Sequence, residues 1–194
     1  PSPADLPRGA RRGAVACQGA RICAKDQAAM PPAARRYWLL KSEPHVFSID
    51  DLKAQGRTPW EGVRNYQARN SMRDAMKVGD LAIFYHSSAE PSGAAGLAQV
   101  CSAPYPDPSQ FDPKSEYYDE GSTQAEPRWI LVDVGFVEKF AALVPLAALK
   151  ADPALKEMLV VQKGQRLSVQ PVEPRHFARV LELAGSRRAA EVRG

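Results

Sequence analysis

Ten consecutive residues, Trp60-Glu61-Gly62-Val63-Arg64-Asn65-Tyr66-Gln67-Ala68-Arg69, set two aromatic rings, a glycine, two amides and two guanidiniums side by side. Such a set suits binding better than bond cleavage. An asparagine offers a donor and an acceptor in one plane, which matches the edge of a base. Trp60 and Tyr66 could stack on a base face, worth about 1–3 kcal/mol per base. Arg64, Arg69, Arg73 and Lys77, set against Asp74, give the stretch a local charge of +3, where a phosphate backbone would run. The same residues also describe a helix with buried aromatics and a solvated row of arginines.

Two further groups carry polar chemistry. Lys41-Ser42-Glu43-Pro44 leaves a candidate strand, and Tyr85-His86-Ser87-Ser88 closes another. Each could line a pocket mouth, and each could be a polar turn. His86 with Ser42 or Glu43 suggests a hydrolase. However, His86 and Ser87 are strand neighbours that point to opposite faces, and no GxSxG elbow accompanies them. Metal chemistry is poorly supplied. His45, His86 and His176 are far apart, no HExxH occurs, and Cys17, Cys23 and Cys101 lack CxxC spacing. Neither GxxxxGK[ST] nor GxGxxG is present, so no nucleotide or dinucleotide cofactor is expected.

These groups need elements to position them. Tyr37–Lys41 reads as a buried strand. Ser48 caps a short helix that Asp50 and Asp51 favour and Gly56 stops. Tyr66, Arg69, Met72, Arg73 and Met76 recur at helical spacing, which predicts a second helix between Asn65 and Met76. A turn over 77–80 precedes a strand over 81–86. Further strands are predicted over 96–103, over 128–140 with a bend at Gly135, and over 167–172. The Pro- and Asp-rich stretch 104–127 is a long loop of the kind that tends to be functional. Short helical turns are expected over 145–158. The last helix starts at Pro174, presents Phe177, Val180, Leu181 and Ala184 on one face, and stops at Gly185. Scattered strands among short helices lack a βαβ rhythm, so a small mixed or antiparallel α+β barrel is expected.

Hydrophobic residues at 44% and charged residues at 25% exclude wholesale disorder in the 194-residue chain. No stretch approaches the roughly 18 apolar residues of a membrane span, and no membrane partner is expected. Residues 1–36 carry a net charge of +5 and residues 37–194 a net charge of −1, so the basic character belongs to the N-terminal segment. Residues 1–35 are expected to be a disordered basic extension, with Met30 as an alternative start, and residues 185–194 a flexible tail. Three cysteines without a pairing pattern point to a reducing, intracellular setting: cytoplasmic for a bacterial chain, nuclear or organellar for a eukaryotic one.

The blocks from Tyr37 to Pro44, from Trp60 to Arg69, and Gly79-Asp80 with Phe84-Tyr85-His86-Ser87, in this order and spacing, resemble the EVE domain of the PUA-like superfamily. The resemblance runs over about residues 36–184. It implies a PUA-like pseudobarrel of mostly antiparallel strands with short peripheral helices, akin to YTH, ASCH and SRA-type readers. It implies no catalytic activity and no cofactor. The implied partner is DNA or RNA carrying a modified base, such as a methylated cytosine derivative. It makes Trp60, Val63, Asn65 and Tyr66 pocket candidates, with Arg64 and Arg69 on the flanking phosphates. Lys41, Ser42 and Glu43 would form one wall, and Tyr85, His86 and Ser87 another. The loop around Tyr105, Asp107, Tyr117 and Tyr118 would cover the mouth. Two alternatives stay open: a small-molecule hydrolase using His86 with Ser42 or Glu43, and a protein-interaction module with a vestigial pocket, suggested by the net charge of −3 over residues 37–184.

Overall fold

The computed structural model describes residues 35–192. Cys17, Cys23, Met30 and the rest of the basic extension up to residue 34 lie outside the described residues. The apolar runs form strands β1 (Tyr37–Ser42), β3 (Leu81–His86) and β4 (Gly93–Val100), and the short polar β2 (Arg57–Pro59) lies between the first two in the chain. They are followed by β5 (Tyr105–Pro106), β6 (Ile130–Leu131), β7 (Asp133–Pro145) and β8 (Val169–Val172). Six strands make one sheet in the order β2-β7-β4-β3-β1-β8, and β5 pairs with β6 apart from it. Every pairing is antiparallel except β1 with β3, which run parallel with Lys41 opposite Tyr85 and Ser42 opposite His86. Register shifts where β4 meets β3 and β7 curl the sheet into a half-barrel, the form taken here by the expected pseudobarrel.

Both faces of the sheet are buried, which is why its central strands read as continuous apolar runs. Trp38 and Leu40 of β1, with Ala82 and Phe84 of β3, pack on one face with Ile49, Leu52, Trp60 and Met72. Tyr37 and Leu39, with Leu81, Ile83 and Tyr85, pack on the other with Leu149, Phe177, Val180 and Leu181. The first face is covered by α1 (Ile49–Gln55), whose Ser48 and Asp51 form a reciprocal capping box, and Gly56 ends the helix at φ +77°. Gly96 makes that cover possible: a Cβ there would sit 2.8 Å from the Ile49 side chain and 2.4 Å from the Glu138 carbonyl. The second face is covered by α3 (Leu146–Ala151) and by α4 (Pro174–Leu183), which starts at Pro174 as read from the sequence.

Several expectations change in detail. The predicted helix between Asn65 and Met76 is α2 (Tyr66–Asn70) continued by one wide π turn over Ser71–Ala75. Its buried face is Ala68, Met72 and Met76, while Tyr66 and Arg73 are exposed. A spacing of four exceeds the 3.6 residues of an α turn, and the wider turn keeps all three on the core side. The strand expected over 96–103 runs earlier, and the one over 128–140 breaks at Val132 into β6 and β7. Past Gly185 the chain, read as a tail, forms α5 (Ala189–Val192), with Ala189 and Val192 against the core. There the buried Ser186 donates to Glu138 at 2.6 Å.

Candidate nucleic-acid interface

The parallel β1–β3 pair brings the two polar groups to one end of the sheet, then strand alternation divides them. Ser42 and His86 follow Leu40 and Phe84 onto the α1 face. The Ser42 hydroxyl donates to the Phe47 carbonyl at 2.7 Å, and His86 Nε2 accepts the Ile49 N–H at the start of α1 at 3.1 Å. Burial pushes the His86 pKa down, with smaller opposed effects from Asp50 and Lys139, so the imidazole is neutral as that acceptor role demands. Glu43 accepts from the Ser88 hydroxyl at 2.8 Å and meets His45 at 3.3 Å. Ser42, Glu43 and His86 therefore each serve the local fold, and no hydrogen bond joins any two of these side chains among the described residues.

Lys41, Tyr85 and Ser87 go to the other side. With Ser88, Ser92 and Lys150 they border a cleft of about 630 Å³, closed across from them by Val160 and the turn Gln162–Arg166. The Lys41 ammonium donates to the Gln165 carbonyl at 2.9 Å, and burial lowers its pKa. Tyr85 is 3% exposed, its phenol pKa raised by burial and its hydroxyl 3.4 Å from Ser92 Oγ. The two expected walls are thus not facing walls of one pocket. Each of the two groups contributes to both faces of the sheet.

The Trp60–Arg69 segment lies against the long 104–127 loop. Trp60 and Val63 are each 7% exposed, and the Trp60 ring meets Phe84 edge-on at 5.6 Å. Gly62, at φ +76°, passes so close to Tyr117 that a Cβ would lie 2.7 Å from its ring. Arg64 is committed inward. Nη1 donates to Asp107 at 2.8 Å, Nη2 to Ser109 at 3.0 Å, and Nε to the Tyr117 carbonyl at 3.0 Å. Its guanidinium also lies 5.3 Å from the ring centroids of Tyr117 and Trp129. Burial pushes the Asp107 carboxyl up, but bonds from Arg64, Ser109 and the Gly62 N–H outweigh it and hold it below the usual carboxylate range. Buried Gln110 fastens the loop at its far end, bonding the Trp129 backbone through both its amide N and O. Asn65 is the N-cap of α2 and accepts the Ala68 N–H at 3.0 Å.

What this segment offers to solvent is narrower than the sequence suggested. Tyr66 is 55% exposed and stacks on Trp129 at 5.0 Å and 26°. Arg69 lies 5.0 Å from the Tyr66 ring centroid and donates to the Arg128 carbonyl at 2.6 Å. Arg73 pairs with its neighbour Asp74 at 2.7 Å. The expected local +3 already counts Asp74, so Asp107 lowers it only to +2 but makes Arg64 unavailable to a flanking phosphate. Sequence reading missed Lys150, Lys163 and Arg166 at the cleft, although Lys163-Gly164-Gln165-Arg166 is a basic glycine turn that could have flagged two of them. Trp129 is both buried and the stacking support of Tyr66.

Among the described residues, no group of three His, Cys, Asp or Glu could hold a metal, and no helix is long and apolar enough to cross a membrane.

A match to the EVE domain spans residues 36–183. Human thymocyte nuclear protein 1 is 43% identical over 166 residues, covering 76% of this chain and 73% of that protein. A solved structure from Pseudomonas syringae is 46% identical with a TM-score of 0.74, covering 76% of this chain and 99% of that one. The human THYN1 protein, solved in complex with 5-methylcytosine-containing DNA, is 43% identical with a TM-score of 0.72, covering 78% of this chain and 99% of that chain.

Proposed function

This chain belongs to the EVE-domain family, and we propose that it is a non-enzymatic reader of a modified base in nucleic acid, a methylated cytosine derivative first among the candidates. The observation that carries the reading is the likeness, over nearly all of the solved human chain, to a protein whose structure holds 5-methylcytosine-containing DNA. The geometry supports it in two places. Tyr66 presents an exposed ring backed by Trp129, with the Arg69 guanidinium beside it, a stacking surface of the kind that single-stranded or extruded bases use. Lys41, Tyr85 and Ser87 border a cleft within the roughly 300–1,000 Å³ range of ligand sites.

The remaining candidates sort by what they touch. Arg64, Asn65, Trp60 and Val63 position the Tyr66 segment, and Ser42, Glu43 and His86 set the turn between β1 and α1. A base flipped onto Tyr66 would be held by stacking, while polar groups distinguish its edge. A reader needs no nucleophile and base in contact, and Ser42 and His86 form no such pair.

The test is a fluorescence-polarisation titration with single- and double-stranded oligonucleotides carrying cytosine, 5-methylcytosine, 5-hydroxymethylcytosine or N6-methyladenine, at two salt concentrations. One modified probe should bind more tightly than its plain counterpart at both. Tyr66→Ala should weaken binding by about tenfold, the loss of one base stack. Trp60→Ala is a poorer choice because Trp60 belongs to the core. Equal affinity for every probe would overturn the reading.

A further inference from the structure

Eight described Lys and Arg side chains are ion-paired with carboxylates. The four that line the 630 Å³ cleft, Lys41, Lys150, Lys163 and Arg166, are in no ion pair among the described residues, and no Asp or Glu lines the cleft with them. Glu43 stands at the rim, held by Ser88. Unpaired cations on a surface are ordinary when scattered, because water screens each one separately. Four converging on one concavity repel one another, and low-dielectric walls strengthen both that repulsion and the attraction of an anion.

The fold builds this convergence from three distant parts of the chain. Lys41 comes from the end of β1, Lys150 from the last turn of α3, and Lys163 and Arg166 from the turn at Gly164. The Lys41–Gln165 bond ties the first to the third. Lys41 is half-buried with a neutral carbonyl as its acceptor, and its desolvation would be relieved by a negative group in the cleft. The hydroxyl of Ser92, which accepts from Tyr85, adds a neutral donor beside the cations. A small, multiply charged acceptor with several oxygens matches that lining better than a carboxylate or an apolar ligand.

We propose that this cleft is a phosphate-binding site that takes the phosphate of a nucleotide or of a nucleic-acid strand, on the sheet face opposite Trp60 and His86. The site does not depend on base reading. If both hold, a strand stacked at Tyr66 and anchored here would touch two separate surfaces of the domain.

The experiment uses the full chain at low salt, with calorimetric titration of inorganic phosphate, thymidine 5′-monophosphate and the dinucleoside monophosphate dTpdT. The first two present a free or terminal phosphate, and the third presents only an internal diester. At least one should bind. Lys150→Gln/Lys163→Gln/Arg166→Gln, all exposed positions whose loss leaves the core intact, should weaken it about tenfold or more, whereas Lys53→Gln on α1 should change nothing. Binding by dTpdT assigns the site to a strand, and binding by the monoesters alone assigns it to a terminal or free phosphate. Absence of binding at millimolar concentration, or equal binding by the triple variant, overturns the proposal. In the oligonucleotide titration the triple variant should reduce the salt slope by about one for each phosphate it no longer neutralises, leaving the ratio between modified and plain probes unchanged. Base discrimination without phosphate binding would sink this site and spare the reader, and the reverse result would do the opposite.

Discussion

His86 shows how a residue type that suggests catalysis can be fully occupied by structure. Its Nε2 accepts the Ile49 N–H and thereby satisfies one of the free donors at the start of α1. Protonation would replace that acceptor by a donor. Because burial holds the folded pKa below the ordinary 6.5, the unfolded chain binds the proton first as pH falls. The stabilisation is therefore complete above about pH 6.5 and is lost as pH drops from there through the lower folded value. Urea-unfolding midpoints measured from pH 7.5 to 5 should fall over that range, and His86→Gln should flatten the decline. A variant with the same slope as the parent would show that His86 is not the titrating group. Arg64 is the parallel case for binding. Its type and position suggested a phosphate clamp, but Asp107, forty-three residues away, claims it.

At the level of elements, the decisive contact is between the Trp60–Asn65 segment and the 104–127 loop. Neither is regular structure for most of its length, so each depends on the other for a defined shape. The joint consists of Gly62 against Tyr117, Asp107 accepting the Gly62 N–H, and Arg64 bridging Asp107, Ser109 and Tyr117. Gly62→Ala meets two penalties at once, a positive φ and a ring within van der Waals contact. It should cost about 1–3 kcal/mol. The loop should also release first, so limited proteolysis should cut within 104–127 sooner in the variant. Unchanged cleavage and stability would mean that the loop is held from the Gln110–Trp129 end alone. The same joint holds Trp129 under Tyr66, so loosening it should also weaken binding of the preferred probe.

Across the whole molecule, the sheet is covered on both sides, and this makes a prediction that a one-sided barrel would not. Leu39 and Leu40 are neighbours in β1, both 0% exposed, on opposite faces. Leu39→Ala and Leu40→Ala should each cost about 2–5 kcal/mol, as buried leucines do. Denaturation midpoints will decide, and one mild and one severe effect would mean that a face is open. The residues alone were enough to place the apolar strands, the capped helix at Ser48, the Pro174 start of α4 and the three blocks that mark the family. Those signals are local: alternation, capping and turn chemistry act within a few residues and survive almost any tertiary context. Which cations remain free could not be read that way. A charge is neutralised by whatever the fold brings beside it, and Arg64–Asp107 and Arg57–Asp133 pair across long stretches of chain. The basic run at 64–77 looked more open to phosphate than it is because Asp107, the partner of Arg64, is remote in sequence, while Lys41, Lys150, Lys163 and Arg166 looked unrelated because they are remote from one another. Only the packing of α3 on the second face and the return of the Gln162–Arg166 turn to the end of β1 set those four around one cleft, because no local signal connects these three parts of the chain.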